Sequence, residues 1–152
     1  ALSANTPHIV FDKLKEQSPI PLISIVEATC EEAKLRGLKK IGLLGTIFTM
    51  TGEFFKAPFV KNGIQIIVPT ESEIELINDK ISTELELGIV KEETLLFFQK
   101  VISRMKDEDG IEAIVLGCTE LPLLLNDEVS PLPCLDTIQI HVRSIIKTIV
   151  GM

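Results

Sequence analysis

The sequence has no tryptophan and no tyrosine, and its seven phenylalanines supply all of its 5% aromatic content. Platforms on which bases stack are therefore missing. Positive charge is scarce as well: 15 Lys and Arg face 22 Asp and Glu, for a net charge of −7. That balance, without a basic cluster, opposes both nucleic acid and anionic membrane as partners. Although 45% of residues are apolar, they come in short runs broken by charge. None approaches the roughly 18 consecutive apolar residues of a membrane-spanning helix. With two histidines and no paired ligand spacing, a metal site is not expected. The three cysteines, Cys30, Cys118 and Cys134, are odd in number and show no CxxC spacing. They suit free thiols in a reducing, cytoplasmic setting better than a disulfide framework.

What is present is one domain's worth of chain, 152 residues, in which short apolar runs alternate with longer amphipathic stretches. Leu22–Ile25, Ile41–Leu44, Ile64–Val68, Ala113–Leu116 and Leu132–Leu135 read as buried strands. Ala1–Ser3 reads as the tail of another. Helices are expected from Asn5 or Thr6 to Gln17, from Glu27 to Arg36, around Phe54–Val60, over Ser72–Leu87, over Lys91–Lys106 and from Thr137 to Ile149. In the first of these Ile9, Val10, Phe11 and Leu14 share an apolar face. Phe54, Phe55 and Phe59 read as core rather than contact surface. This alternation predicts an α/β fold, a parallel sheet with helices on both faces.

In such sheets ligands sit beyond the carboxyl ends of the strands. The segments that follow the expected strands hold Ser3, Asn5 and Thr6; Ser24; Thr46 and Thr49; Cys118, Thr119 and Glu120; and Asp136 with Thr137. This rim is rich in small hydroxyls and helix starts, which favour a carboxylate without a basic cluster. Taken singly, Asn5, Thr6, Thr49 and Thr137 serve equally well as helix caps. A thiol near a helix start, its pKa lowered towards neutrality, suits proton transfer. Glu120 fits three roles: orienting the thiol, binding an ammonium group, or simply occupying the first turn of a helix. His8 reads as a surface or capping residue and His141 as structural; Cys30 and Cys134 read as core.

Gly117-Cys118-Thr119-Glu120-Leu121-Pro122 resembles the second cysteine motif of the aspartate/glutamate racemase superfamily. Leu44-Gly45-Thr46-Ile47-Phe48-Thr49-Met50 is similar to the LGTxxTM turn of its aspartate racemase branch. Asn5-Thr6-Pro7-His8 resembles the first motif, and Asp136-Thr137 with His141 the closing DTxxxH segment. The resemblance implies two similar α/β domains with a site between them, and cofactor-independent racemisation of an acidic amino acid by two residues on opposite faces of its α-carbon. It implies Cys118 as one of the two, and Asn5, Thr6, Thr46, Thr49 and Thr119 as substrate-binding residues, with Glu120 beside them. Where the family carries its first cysteine, this chain has Ala4, which leaves Ser3 as the neighbouring hydroxyl and a far weaker base.

On the same basis, residues 1–19 are expected to be the remnant of a first domain. Residues 20–135 would form the second, and 136–152 a helix returning to the first. The chain opens at Ala1 rather than methionine, so a fragment or processed chain is expected. A homodimer fits the resemblance. The alternatives are a non-catalytic carboxylate-binding relative, or an isomerase acting on another carboxylate, such as a maleate isomerase or a hydantoin racemase.

Overall fold

Two short runs, apolar but for the lysine that opens the first, make the centre of the sheet. They are β1 (Lys40–Leu44) and β3 (Ala113–Leu116) of a computed structural model that describes residues 1–151. The strands run parallel, with Ile41 opposite Ala113 and Leu44 opposite Leu116. Shorter strands flank them: β2 (Gln65–Ile67) beside β1 and β4 (Cys134–Asp136) beside β3, also parallel. A strand buried on both faces must be apolar on both, which is why β3 shows no polar alternation.

The helices are α1 (Phe11–Gln17), α2 (Ile25–Leu35), α3 (Ile47–Thr51), α4 (Glu53–Lys61), α5 (Glu71–Thr83), α6 (Glu92–Arg104) and α7 (Thr137–Val150). α2 packs on α7 and α4, and α5 packs on α6 and α3. The core includes Phe55 and Phe59, stacked 5.5 Å apart, with Phe98, Met50 and Ile25 also fully buried. The phenylalanine reading thus holds for Phe55 and Phe59, and Phe54 packs partly buried against the same core.

Side-chain oxygens start the helices where the sequence supplies them. Ser24 accepts from the Glu27 N–H, Thr46 from Thr49, and Asp136 from Ile138 and Gln139. Thr70 and Glu73 close a capping box on α5.

Several expected boundaries move. Leu22–Ile25 is not a strand: Ser24 caps α2 and Ile25 is already its first residue, so the local cap overrides a β-prone apolar run. Ala1–Ser3 is likewise not in a strand. The first expected helix splits into a 3-10 turn (Thr6–Val10) and α1, and the Asn5 side chain does not cap it. Of its apolar face only Phe11 is buried, while Ile9, Val10 and Leu14 are exposed. α6 runs on through a wider π-type turn, Met105–Asp109, to Gly110.

Candidate active site

Two glycines bring the candidate residues together. A Cβ on Gly117 would lie 2.8 Å from the Leu44 carbonyl oxygen, and one on Gly45 3.0 Å from the Gly117 oxygen. Only residues without a side chain let the exits of β1 and β3 approach this closely. The Gly117 N–H donates to the Leu44 oxygen at 2.7 Å, which extends the ladder past the strand ends. The threonine turn after β1 therefore rests against the cysteine turn after β3.

On the β1 side, three hydroxyls close a triangle. Thr6 Oγ1 lies 3.0 Å from Thr46 Oγ1 and 3.2 Å from Thr49 Oγ1, and Thr46 donates to Thr49 at 3.3 Å. Thr6 arrives from 40 residues away in sequence. Beside it, Asn5 is only 2% exposed. Its Nδ2 donates to Thr137 Oγ1 at 2.9 Å, and Thr137 in turn donates to the Leu116 oxygen at 2.9 Å. The other half of the amide, Asn5 Oδ1, is buried with no partner among the described residues. A buried acceptor left unpaired is costly and marks a place where a donor is missing.

On the β3 side, Cys118 is 6% exposed and its thiol donates to Glu120 Oε2 at 2.9 Å. Burial, then the neighbouring Glu120 carboxylate, push the thiol up to about 12. The backbone N–H groups of Glu120 and Leu121 oppose the shift more weakly. The lowering expected from a helix start is thus reversed. Only a turn and a three-residue 3-10 segment, Leu121–Leu123, follow the cysteine, too short to carry a useful helix dipole. Glu120 moves the other way: burial raises its carboxyl, but the Cys118 thiol and the Thr119 hydroxyl outweigh that and hold it below the usual range.

Asn5, Thr6, Thr46, Thr49, Cys118, Thr119 and Glu120 therefore converge on one rim. Ser3 does not join them: it is exposed, and no hydrogen bond of the cluster involves it. Sequence reasoning missed His8. It is buried rather than superficial, with Nδ1 2.8 Å from the Ala4 oxygen and Nε2 accepting the Ile25 N–H at 3.2 Å. Its place in Asn-Thr-Pro-His, just after two site residues, was the available signal. His141 holds the structural place expected, its Nε2 3.1 Å from the Ile23 oxygen. Burial lowers the pKa of both rings.

Cys30, Cys118 and Cys134 are free thiols. Among the described residues no group of three His, Cys, Asp or Glu is placed to hold a metal ion. No described helix is long and apolar enough to cross a membrane.

The sequence is similar to known proteins across nearly its whole length. A protein of Pectobacterium carotovorum subsp. carotovorum, named for its position in the pnlA 3′ region, is 31% identical over 126 residues, 81% of this chain and 80% of that one. Glutamate racemase of Actinobacillus pleuropneumoniae serotype 3 is 28% identical over 128 residues, which cover 82% of this chain and 46% of the enzyme. The crystal structure of an aspartate racemase homologue from Pyrococcus horikoshii OT3 superposes with a TM-score of 0.87 at 36% identity, over 95% of this chain and 63% of that one. The chain thus spans less than half of that glutamate racemase and under two thirds of the Pyrococcus protein. The family pattern described as Asp/Glu/Hydantoin racemase matches residues 1–145, and on that match, together with the parallel sheet and its threonine and cysteine turns, the chain belongs to the Asp/Glu/Hydantoin racemase family.

Proposed function

We propose that the site supports racemisation of an acidic amino acid, aspartate or glutamate, by direct transfer of the α-proton through the Cys118 thiol without pyridoxal phosphate. The carrying observation is the juxtaposition of that thiol, hydrogen-bonded to Glu120 at 2.9 Å, with a hydroxyl triangle and a partnerless Asn5 Oδ1. The hydroxyls of Thr6, Thr46, Thr49 and Thr119 are donors for carboxylate oxygens. Asn5 Oδ1 and the Glu120 carboxylate are acceptors for an ammonium group. Substrate binding would therefore satisfy the buried side-chain acceptor left open among the described residues.

At neutral pH a thiol pushed up to about 12 is protonated. In the free protein Cys118 is thus poised as the proton donor. It would deliver its hydrogen to the α-carbanion: the S–H bond breaks, a C–H bond forms, and a thiolate remains. In the reverse direction the thiolate takes the α-proton, and the electron pair passes into the adjacent carboxylate. Bound ammonium beside Glu120 offsets the charge that makes the thiolate unfavourable.

The other face of the α-carbon requires a second acid–base group. Ser3 is the hydroxyl nearest in sequence to Ala4, which replaces the family's first cysteine, and it lies exposed outside the cluster. We place that group beyond the four-stranded unit. In this reading residues 20–135 form the second lobe of a two-lobed site, residues 1–19 are the remnant of the first, and residues 136–152 form a helix returning to it. A homodimer and a cytoplasmic location accompany this reading. Ala4 also favours a second reading, a carboxylate-binding relative that no longer catalyses.

Solvent deuterium entering the α-position of L- or D-aspartate or glutamate tests the first reading; absence of exchange with all four overturns it. Dicarboxylate binding by titration calorimetry without exchange supports the second.

A further inference from the structure

His8 sits at the joint between the site and the rest of the fold. Its ring makes two polar contacts with opposite demands. Nε2 accepts the Ile25 N–H, so it carries no proton, and Nδ1 faces the Ala4 oxygen, so it does. Both bonds coexist only in the neutral ring with its proton on Nδ1, a tautomer assigned from these partners. One bond closes the turn that carries Asn5 and Thr6, together with His8 N–H donating to the Asn5 oxygen at 2.9 Å. The other anchors that turn to the first residue of α2.

We propose that His8 is the positioning residue of the candidate site. As the neutral Nδ1–H tautomer it clamps the Asn5–Thr6 turn to the start of α2, and protonation of Nε2 opens the clamp.

Protonation would set an N–H on Nε2 against the Ile25 N–H, two donors facing each other. Glu27 is the carboxylate whose charge favours the protonated ring, and its pull is weaker than the burial that opposes it. Phe11 stacks on the ring at 4.7 Å, and His141 of α7 meets it edge-on at 6.4 Å as a second titratable base. Of the carboxylates around it, Glu27 of α2 lies 3.5 Å from Lys15, and Asp12 belongs to the same segment as His8. Lys61 of α4 lines the same cavity of about 590 Å3 with His8, Asp12 and Glu27, and adds positive charge to it. Burial, opposed by the Ala4 bond, lowers the ring's pKa below its ordinary value near 6.5, and the clamp is closed at neutral pH. Opening it moves Asn5 and Thr6 and thereby dissolves both the hydroxyl triangle and the Asn5–Thr137 bond.

The test is nuclear magnetic resonance on the whole 152-residue chain, with His8→Gln as the non-titrating partner whose amide oxygen still reaches towards the Ile25 N–H. Long-range ¹H–¹⁵N spectra at pH 7.5 should give His8 a protonated Nδ1 and a bare Nε2. As His8 titrates below pH 6.5, exchange of the Ile25 amide, corrected for its intrinsic rate, should rise about tenfold or more, the scale of losing one buried hydrogen bond. In His8→Gln that step should vanish. A proton on Nε2 at pH 7.5, an Ile25 amide indifferent to His8 titration, or the same step in His8→Gln would each overturn the clamp.

The functional arm rests on the racemase reading. His8→Ala should raise KM for the acidic amino acid about tenfold with kcat little changed, and His8→Gln should recover most of that at pH 7.5. Should wild type show no exchange, the racemase reading fails, while the ring and amide results still decide the clamp.

Discussion

Two carboxylates in this molecule sit in contrasting company. Glu84, at the end of α5, receives hydrogen bonds from Lys80 at 2.8 Å, from Lys91 at 3.0 Å and from the Thr94 hydroxyl. Lys80 first and Thr94 second hold its carboxyl down to about 2. Glu120, at the rim, has the Cys118 thiol and the Thr119 hydroxyl for partners and no cation among the described residues, and the buried Asn5 Oδ1 has no partner among them. The first cluster is saturated, which suits a structural clasp between α5 and α6. The second is short of donors and positive charge, as a site awaiting an ammonium group would be. Both are carboxylates beside a hydroxyl or thiol; what separates them is whether the protein itself completes the set.

The contrast breaks most sharply at the thiol. Cys118→Ala should slow solvent-deuterium incorporation by about 10²–10⁴-fold, the usual worth of a positioned acid or base. Its cost in stability should be about 1 kcal/mol, read by denaturant unfolding. Asn5→Ala should weaken calorimetric binding of aspartate or glutamate about 10- to 100-fold, the scale of one hydrogen bond to a charged ligand. Thr6→Val, which opens the triangle, should cost about 3- to 10-fold in the same measurement.

Glu84→Gln should do the opposite. It lowers the melting temperature while leaving ligand affinity and exchange rate unchanged. If Glu84→Gln impaired exchange, or Cys118→Ala did not, the division between clasp and site would be wrong.

The smallest effects lie in pH dependence. Glu84 is lowered in the fold, so its stabilisation is present above its ordinary 4.5 and is lost as pH falls towards about 2. His8 and His141 are lowered bases, so the unfolded chain binds their protons first and stability falls as pH drops below 6.5. Cys118 is a raised acid, so stability falls as pH climbs from its ordinary 9.0 towards about 12. Unfolding midpoints measured across pH should show all three slopes. Glu84→Gln should reduce the most acidic one, which Glu73, Glu112 and Glu120 share, and Cys118→Ala the alkaline one, which Cys30 and Cys134 share.

Much of this was readable before any coordinates. The apolar runs at Ile41 and Ala113 became the central strands, and the glycine that ends each run became the point of closest approach. Leu22–Ile25 was misread because its β-prone composition concealed a cap: a single serine hydroxyl, with the His8 ring behind it, turns that segment into the start of α2. Ile9, Val10 and Leu14 carry the spacing of a buried face, yet nothing among the described residues covers them. Periodicity reports which side of a helix is apolar and not whether a partner lies against it.

The sequence by itself determined the parallel α/β architecture and the threonine and cysteine turns of the rim, though not the exclusion of Ser3 and Ser24 from it, because strand runs, caps and glycine turns depend on residues a few positions apart. Only the tertiary structure decided the protonation of the thiol, the isolation of Ser3, the orphaned oxygen of Asn5 and the burial of His8. Those depend on groups brought from far along the chain, as Thr137 is brought to Asn5 across 132 residues. A local pattern can specify a side chain's chemistry, but its burial and the field around it are set by whatever packs against it.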